Sequence, residues 1–351
     1  MKIKNVNTSF LPMYYLGRLL GTISVSRRKN NDYEQSFMVS VFTFIASALQ
    51  IFTIFLGIQH ANKQEASRKE GTINLTLYFE PTSTCIFSKR LSILLKSINS
   101  LDNEYFSIFS NIHYKGFIFN LLASILYPLL YVIISIIKFL PFGLNLEITK
   151  VFFLVNISHF STISSEAQFV AFCNCLKQRF CALNSKLEDL SKKNCSAGKV
   201  TNLLQNTRNA MRITNGNELP NTLETLRKAH VELCTLALYV NSIYGIQLFI
   251  CAIMSFFQIP LNMYNVIKNK EDSNLSIISN VAWCLSFVLR LFVTLKMCSS
   301  TVHERYFLQN FELSYYFILQ LALFSRHLLH QKVEFSACGF FTMDMPLFIS
   351  V

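Results

Sequence analysis

Long apolar runs alternate with polar, basic connections along this chain. Residues 37–58, "FMVSVFTFIASALQIFTIFLGI", carry no charge. They match the length of about 20 residues that a helix rising about 1.5 Å per residue needs to cross a bilayer. Similar runs at 117–139, 151–173, 238–263 and 277–297 predict further spans. Residues 72–87 make a weaker one, interrupted by Glu80 and Pro81. A last run begins at Phe335 and reaches Val351 with Asp344 and Pro346 inside it.

The period changes between the fourth and fifth runs. Phe169, Phe172, Leu176, Phe180, Leu183, Leu187 and Leu190 recur in steps of three and four, which is one face of a helix continuing the fourth span. Polar residues from Ser191 to Thr222 are expected to break it, with "NGNELPN" supplying turn chemistry. Leu223, Leu226, Leu233 and Leu236 resume the spacing before the fifth span. A short apolar stretch from Leu313 to Phe324 predicts an amphipathic helix packed on these two, or lying on the lipid surface.

Composition agrees with a membrane protein. Hydrophobic residues make up 52% and charged residues 15%, against roughly 25% charged in soluble domains. Mean hydropathy is +0.36. The net charge of +12 forms no continuous stripe, so nucleic acid is not the partner it implies. Lys and Arg gather instead in alternate connections, before 37, after 87, between 173 and 238, and after 297. Positive residues accumulate on the cytoplasmic side, which places the N-terminus in the cytosol provided that 72–87 is a real span. Sequons at Asn74 and Asn274 then fall on or beside outer connections as candidate glycosylation sites, and no cysteine lies in a predicted outer loop. The segments expected are a cytoplasmic N-terminus (1–36), spans one to four (37–173), a cytoplasmic helical anchor (174–237), spans five and six (238–297), a second cytoplasmic helical region (298–334) and the start of span seven (335–351).

Candidate chemistry is sparse. Cys173, Cys175 and Cys181 lie near His159, but the C-x-C spacing is not that of structural zinc and His159 lies about four turns away, so these read as free thiols rather than metal ligands. "HER" at His303 lacks the second histidine of a zinc protease. No nucleotide fingerprint or hydrolase elbow appears, and the chain does not read as an enzyme or as a cofactor binder. Ionisable groups inside spans carry more information. Arg290 is placed to snorkel toward the inner interface, and Glu166 to pair with a neighbouring helix. Position alone selects Phe79, Glu80, Tyr131, Asn156, His159, Gln258 and Trp283 as candidate ligand-binding residues, with interface anchoring as the other reading of Trp283.

Several stretches resemble the insect gustatory receptors, within the wider insect chemoreceptor superfamily. "EAQFVAFCNCLKQRFCALNSKLEDL" (166–190) is similar to that family's end of the fourth span. "LRKAHVELCTLALYVNSIYGIQLFICAIMSFFQIPLNMY" (226–264) carries its His, its Asn-x-x-[Tyr/Phe]-Gly and its Gln-x-Leu. "LQLALFSRHLLHQKVEFSACGFF" (319–341) resembles the approach to its seventh span, and "LPMYYLGRLLG" its N-terminal start. The resemblance implies an all-α, polytopic helix bundle with seven spans. It further implies a plasma-membrane, tastant-gated cation channel, assembled as a homo- or hetero-tetramer with other such subunits. The seventh helix would line the pore, and an outer-facing pocket among spans two to six would bind a small molecule. The family's closing Thr-Tyr…Gln-Phe motif is absent after "LFISV", so the last span is expected to be incomplete and the chain, as written, unable to line a whole pore. The alternatives are a G-protein-coupled-type or other polytopic receptor or transporter, or a non-conducting member.

Overall fold

The computed structural model describes residues 14–15, 25–27, 33–35, 88–105, 129–136, 146–203, 218–268, 274–306 and 333–350. Strands β1 (Val25–Arg27) and β2 (Tyr33–Gln35) pair antiparallel, with Ser26 opposite Glu34. Helix α1 (Ser88–Tyr105) packs against this hairpin. A helical segment occupies 129–136. Then come three long helices: α2 (Leu146–Leu203), α3 (Glu218–Lys268) and α4 (Asn274–Tyr306). The chain continues through β3 (Ser336–Ala337), β4 (Phe341–Thr342) and α5 (Met345–Ser350).

The length of α2, 58 residues, follows from its sequence: there is no proline between Leu146 and Leu203 and Gly198 is its only glycine. At about 1.5 Å per residue it is far longer than the roughly 30 Å of bilayer hydrocarbon, so much of it stands outside the membrane. Helix α3 is built on the same plan, with Pro260 near one end. Among the described residues, Glu224–Tyr264 and Asn280–Arg305 are long and apolar enough to cross a bilayer. Large apolar side chains stand on the outside there. Leu285 is 63% exposed and Phe257 54%, a surface suited to lipid and not to water.

Helices α2, α3 and α4 pack mutually, and α1 lies against α3. The stripe read from the sequence faces this core: Phe169, Phe172, Leu176, Phe180, Leu183 and Leu187 are all buried. Leu226, Leu233 and Leu236 of α3 meet it. Burial against protein on this scale answers the alternative that the α2 and α3 faces merely rest on lipid. The polar stretch from Ser191 does not stop α2 at once. The helix runs on to Leu203, and α3 already begins at Glu218.

Among the described residues, two buried ion pairs cross this bundle. At the extended end, Arg179 of α2 donates from Nε to Asp102 Oδ1 of α1 (2.7 Å), from Nη2 to Oδ2 (2.5 Å) and from Nη1 to the Cys175 carbonyl (2.8 Å). Burial pushes the adjacent Cys175 thiol up to about 11, against the opposing pull of the Arg179 charge. The second pair, Glu166 with Arg290, belongs to the site described below. The closing run departs from a simple span. Helix begins at Met345 rather than near Phe335, because Ser336–Thr342 forms an antiparallel hairpin, with Ala337 opposite Phe341. Asp344 caps α5: its Oδ1 accepts from the Leu347 amide at 3.3 Å, and its Oδ2 accepts from the Thr342 hydroxyl at 3.1 Å. Pro346 lies in the first turn, where a missing N–H costs nothing. The residues that look like interruptions in the sequence are a helix start.

Candidate functional site

An aromatic cluster joins the segment 129–136 to α2, α3 and α4. Tyr131 and Trp283 meet with ring centroids 5.4 Å apart, and Trp283 meets Phe287 edge-on at 6.1 Å. Ile163 of α2 completes the buried set, with Ile134 and Ile259 packed against it. Trp283 is 1% exposed, so it anchors no interface; it is the centre of the cluster. Tyr131 and Ser135 stand one turn apart on the same helical face. The Ser135 hydroxyl is buried and makes no hydrogen bond among the described residues.

Gln258, on α3 beside Ile259, is fully buried. Its backbone carbonyl accepts from Asn262 Nδ2 at 2.6 Å and its side-chain Oε1 from the same group at 3.3 Å. One turn beyond Phe287, Arg290 lies with its guanidinium carbon 5.2 Å from the Phe287 ring centroid. It donates from Nε to Glu166 Oε2 (2.9 Å) and from Nη2 to Oε1 (2.5 Å). Arg290 therefore does not snorkel. At 3% exposure for each residue, the two charges face one another in a bidentate pair, which ties α2 to α4 beneath the aromatic cluster. Glu166 pairs across helices as its position in the sequence led one to expect.

The structure thus brings Tyr131 and Trp283 into contact and sets Gln258 next to Ile259 of the same cluster. Asn156 and His159 lie in the backbone of α2, seven and four residues before Ile163. Phe79, Glu80 and the sequon Asn74 fall outside the described residues, as does the predicted helix around 313–324. Asn274 is the first residue of α4. Ile163, Phe287 and Ser135 escaped the sequence reading, although Phe287 stands four residues from Trp283, the spacing of neighbours on a helix. Among the described residues, no three His, Cys, Asp or Glu side chains converge where a metal ion would sit. The rings pack in tilted and edge-on arrangements, with the buried Ser135 hydroxyl one turn from Tyr131.

These features belong to a mostly helical protein with two helices, among the described residues, long and apolar enough to cross a membrane. A sequence model of the 7tm chemosensory receptor family matches residues 10–351, and the chain belongs to that family. Two solved structures show the same fold. One is the insect olfactory receptor OR5 from Machilis hrabei, with a TM-score of 0.65, 11% identity, and coverage of 96% of this chain and 93% of that one. The other is the same receptor in complex with eugenol, with a TM-score of 0.67, 12% identity and the same coverage. No curated protein sequence matches significantly.

Proposed function

We propose that the chain is a gustatory-type receptor subunit, in which a small tastant bound at the Tyr131–Trp283–Phe287 cluster biases the open and closed states of a cation channel. The observation that carries this reading is the cluster itself. It joins four helical elements, including both candidate spans, so a molecule wedged among its rings alters how those helices pack. Support comes from the shared fold with a receptor solved in complex with eugenol, a small aromatic molecule. The gustatory assignment rests on the stretches at 166–190, 226–264 and 319–341.

In this reading Asn156, His159 and Gln258 add polar groups to the pocket, and Phe79 and Glu80 close it from the weak second span. The N-terminus is cytoplasmic, Asn74 and Asn274 carry the outer glycans, and the subunits assemble as tetramers in the plasma membrane, alone or with related subunits. The test is calcium imaging of cells expressing the chain, alone and with related subunits, against a panel of sugars, bitter compounds and small phenols. An active compound should need at least about tenfold more for half-maximal response in Trp283→Ala, the loss of roughly 1.4 kcal/mol of ring contact. Equal surface expression with an unshifted dose–response curve would remove the cluster as the binding site.

A further inference from the structure

The hairpin that precedes α5 sits on α3 through contacts of an unusual kind. Asn241 offers both ends of its amide: Oδ1 accepts from the Ser336 backbone N–H at 2.9 Å, and Nδ2 donates to the Ser336 hydroxyl at 3.2 Å. One turn on, Gly245 admits the strand. A Cβ placed there would lie 3.6 Å from the Ser336 carbonyl oxygen and 3.5 Å from the Cys338 amide nitrogen, so a small side chain just fits and a branched or bulkier one displaces the hairpin. Between them, Tyr244 holds the floor: its ring packs on Phe169 (5.6 Å) and Phe172 (6.0 Å) of α2, and its hydroxyl donates to Gln168 Oε1 (3.5 Å). Asn241, Tyr244 and Gly245 are the Asn-x-x-Tyr-Gly of the sequence, and each has a distinct part in a seat for the hairpin.

Beyond the β3–β4 ladder, two further backbone bonds close the hairpin, from Phe340 N–H to Ala337 O (3.0 Å) and from Met343 N–H to Phe335 O (2.7 Å). Its turn places Cys338 at φ 52°, a left-handed conformation unfavourable for a residue with a Cβ, followed by Gly339 at φ 81°. Residues 338–340 are exposed, Phe340 by 75%, though its ring stacks on Phe249 at 5.0 Å. The strand's inner side is better anchored, with Phe335 edge-on to Phe169 at 5.7 Å. The position of α5 depends on this seating: Asp344 starts the helix straight after β4, and Phe348 of α5 meets Phe292 of α4 at 5.5 Å.

We propose that Ser336–Thr342 is a detachable latch, clasped by Asn241 and admitted by Gly245, which sets where α5 stands against α4. Closed, as here, it fixes the start of α5 to α3. Open, it withdraws Ala337 from the core it shares with α2 and α3 and frees α5, while the direct packing among α2, α3 and α4 holds those helices together.

The native Cys338 provides the measurement. In the purified full chain carrying Gly245→Cys, diamide should oxidise the introduced thiol and that of Cys338 to a disulfide, the two thiols giving up two protons and two electrons to reduce diamide to its hydrazine. Mass spectrometry of the linked peptide follows the rate. Adding Ser336→Ala, which removes only the hydroxyl bond, should slow the linkage about threefold. Adding Asn241→Ala, which removes both bonds, should slow it about tenfold, as expected for hydrogen bonds worth roughly 0.7 kcal/mol each. Cys338→Ser should abolish it. Hydrogen exchange on the unmodified chain gives a second readout: the Ser336 and Met343 amides should exchange well ahead of the α3 amides around Tyr244, and faster still in Ser336→Ala. Linkage rates indifferent to both clasp variants, or hairpin amides exchanging only with α3, would overturn the latch. Should Asn241→Ala not yield a monodisperse protein, Ser336→Ala and the exchange data decide. Neither readout depends on channel activity.

Discussion

Acid should destabilise this protein through one imidazole. His230 of α3 lies near one end of Glu224–Tyr264, whose 41 residues are about twice what a bilayer needs, outside the apolar run 238–263, and is 2% exposed. The edge of the Phe180 ring faces it at 5.6 Å, and its Nδ1 lies 3.6 Å from the Cys234 thiol. Burial first, and then the positive charge of Arg305, hold its pKa down at about 3 from an ordinary 6.5. The folded state therefore keeps His230 neutral while the unfolded chain protonates it. A depressed folded pKa contributes stability that is complete above about 6.5 and is lost as pH falls toward 3. At about 1.36 kcal/mol per pKa unit, the loss is roughly 2 kcal/mol at pH 5 and approaches about 5 kcal/mol near pH 3.

The variant that isolates this effect is His230→Leu, close in volume and without a proton to gain. At pH 7.5 it should cost no more than about 1.5 kcal/mol, the price of an imperfect hydrophobic fit. By pH 5 it should match or exceed the native chain. Fluorescence-detected size exclusion after heating, in detergent at half-unit steps from pH 7.5 to 4.5, reads the relative stabilities. The native curve should fall on the acid side, while the His230→Leu curve stays flatter and crosses it. Parallel curves would show that some other group carries the acid sensitivity and that His230 is solvated in the folded protein.

The same physics governs two other perturbations. Removing either partner of the Glu166–Arg290 pair, as Glu166→Leu or Arg290→Met, strands a buried charge and should cost about 3–5 kcal/mol, whereas the double variant should recover most of it; heating midpoints in a double-mutant cycle check this, and additive losses would refute the pairing. Asp344→Ala removes the cap of α5 and should speed hydrogen exchange at Leu347 about fivefold, for a loss of about 1 kcal/mol, leaving α2 untouched.

Different parts of this architecture were legible for different reasons. The long helices and the core-facing stripe from Phe169 to Leu187 could be read because a 3.6-residue period is local information. Tyr131, Gln258 and Trp283 were picked out by position alone, but nothing local says that Tyr131 touches Trp283 or that Ile163 lies beneath them. Trp283 stands 152 residues from Tyr131 and 120 from Ile163, and those two are 32 residues apart on separate helices. Arg290 shows the same limit. One residue in isolation snorkels; the same residue one turn from Phe287 and opposite Glu166 does not, because a bidentate carboxylate is a better partner than a distant headgroup layer.

The closing segment was misread for a subtler reason. "FSACGFF" is apolar enough to look like membrane helix, and hydropathy carries no record of backbone shape. Its turn signal was Gly339, and its start-of-helix signal was Asp344 with Pro346, the pattern of a cap followed by a first-turn proline. On a hydropathy scale these residues are blemishes; in capping chemistry they end one element and begin another. The hairpin would still be unstable alone, since a single two-stranded ribbon has too few contacts to hold itself. It exists because Asn241 supplies the hydrogen-bond partner that a third strand would otherwise provide and because Gly245 leaves the room. The structure of residues 336–342 is thus encoded partly in a motif some ninety residues earlier, and a substitution at Asn241 should be felt first at the hairpin and α5 rather than in the helix that carries it.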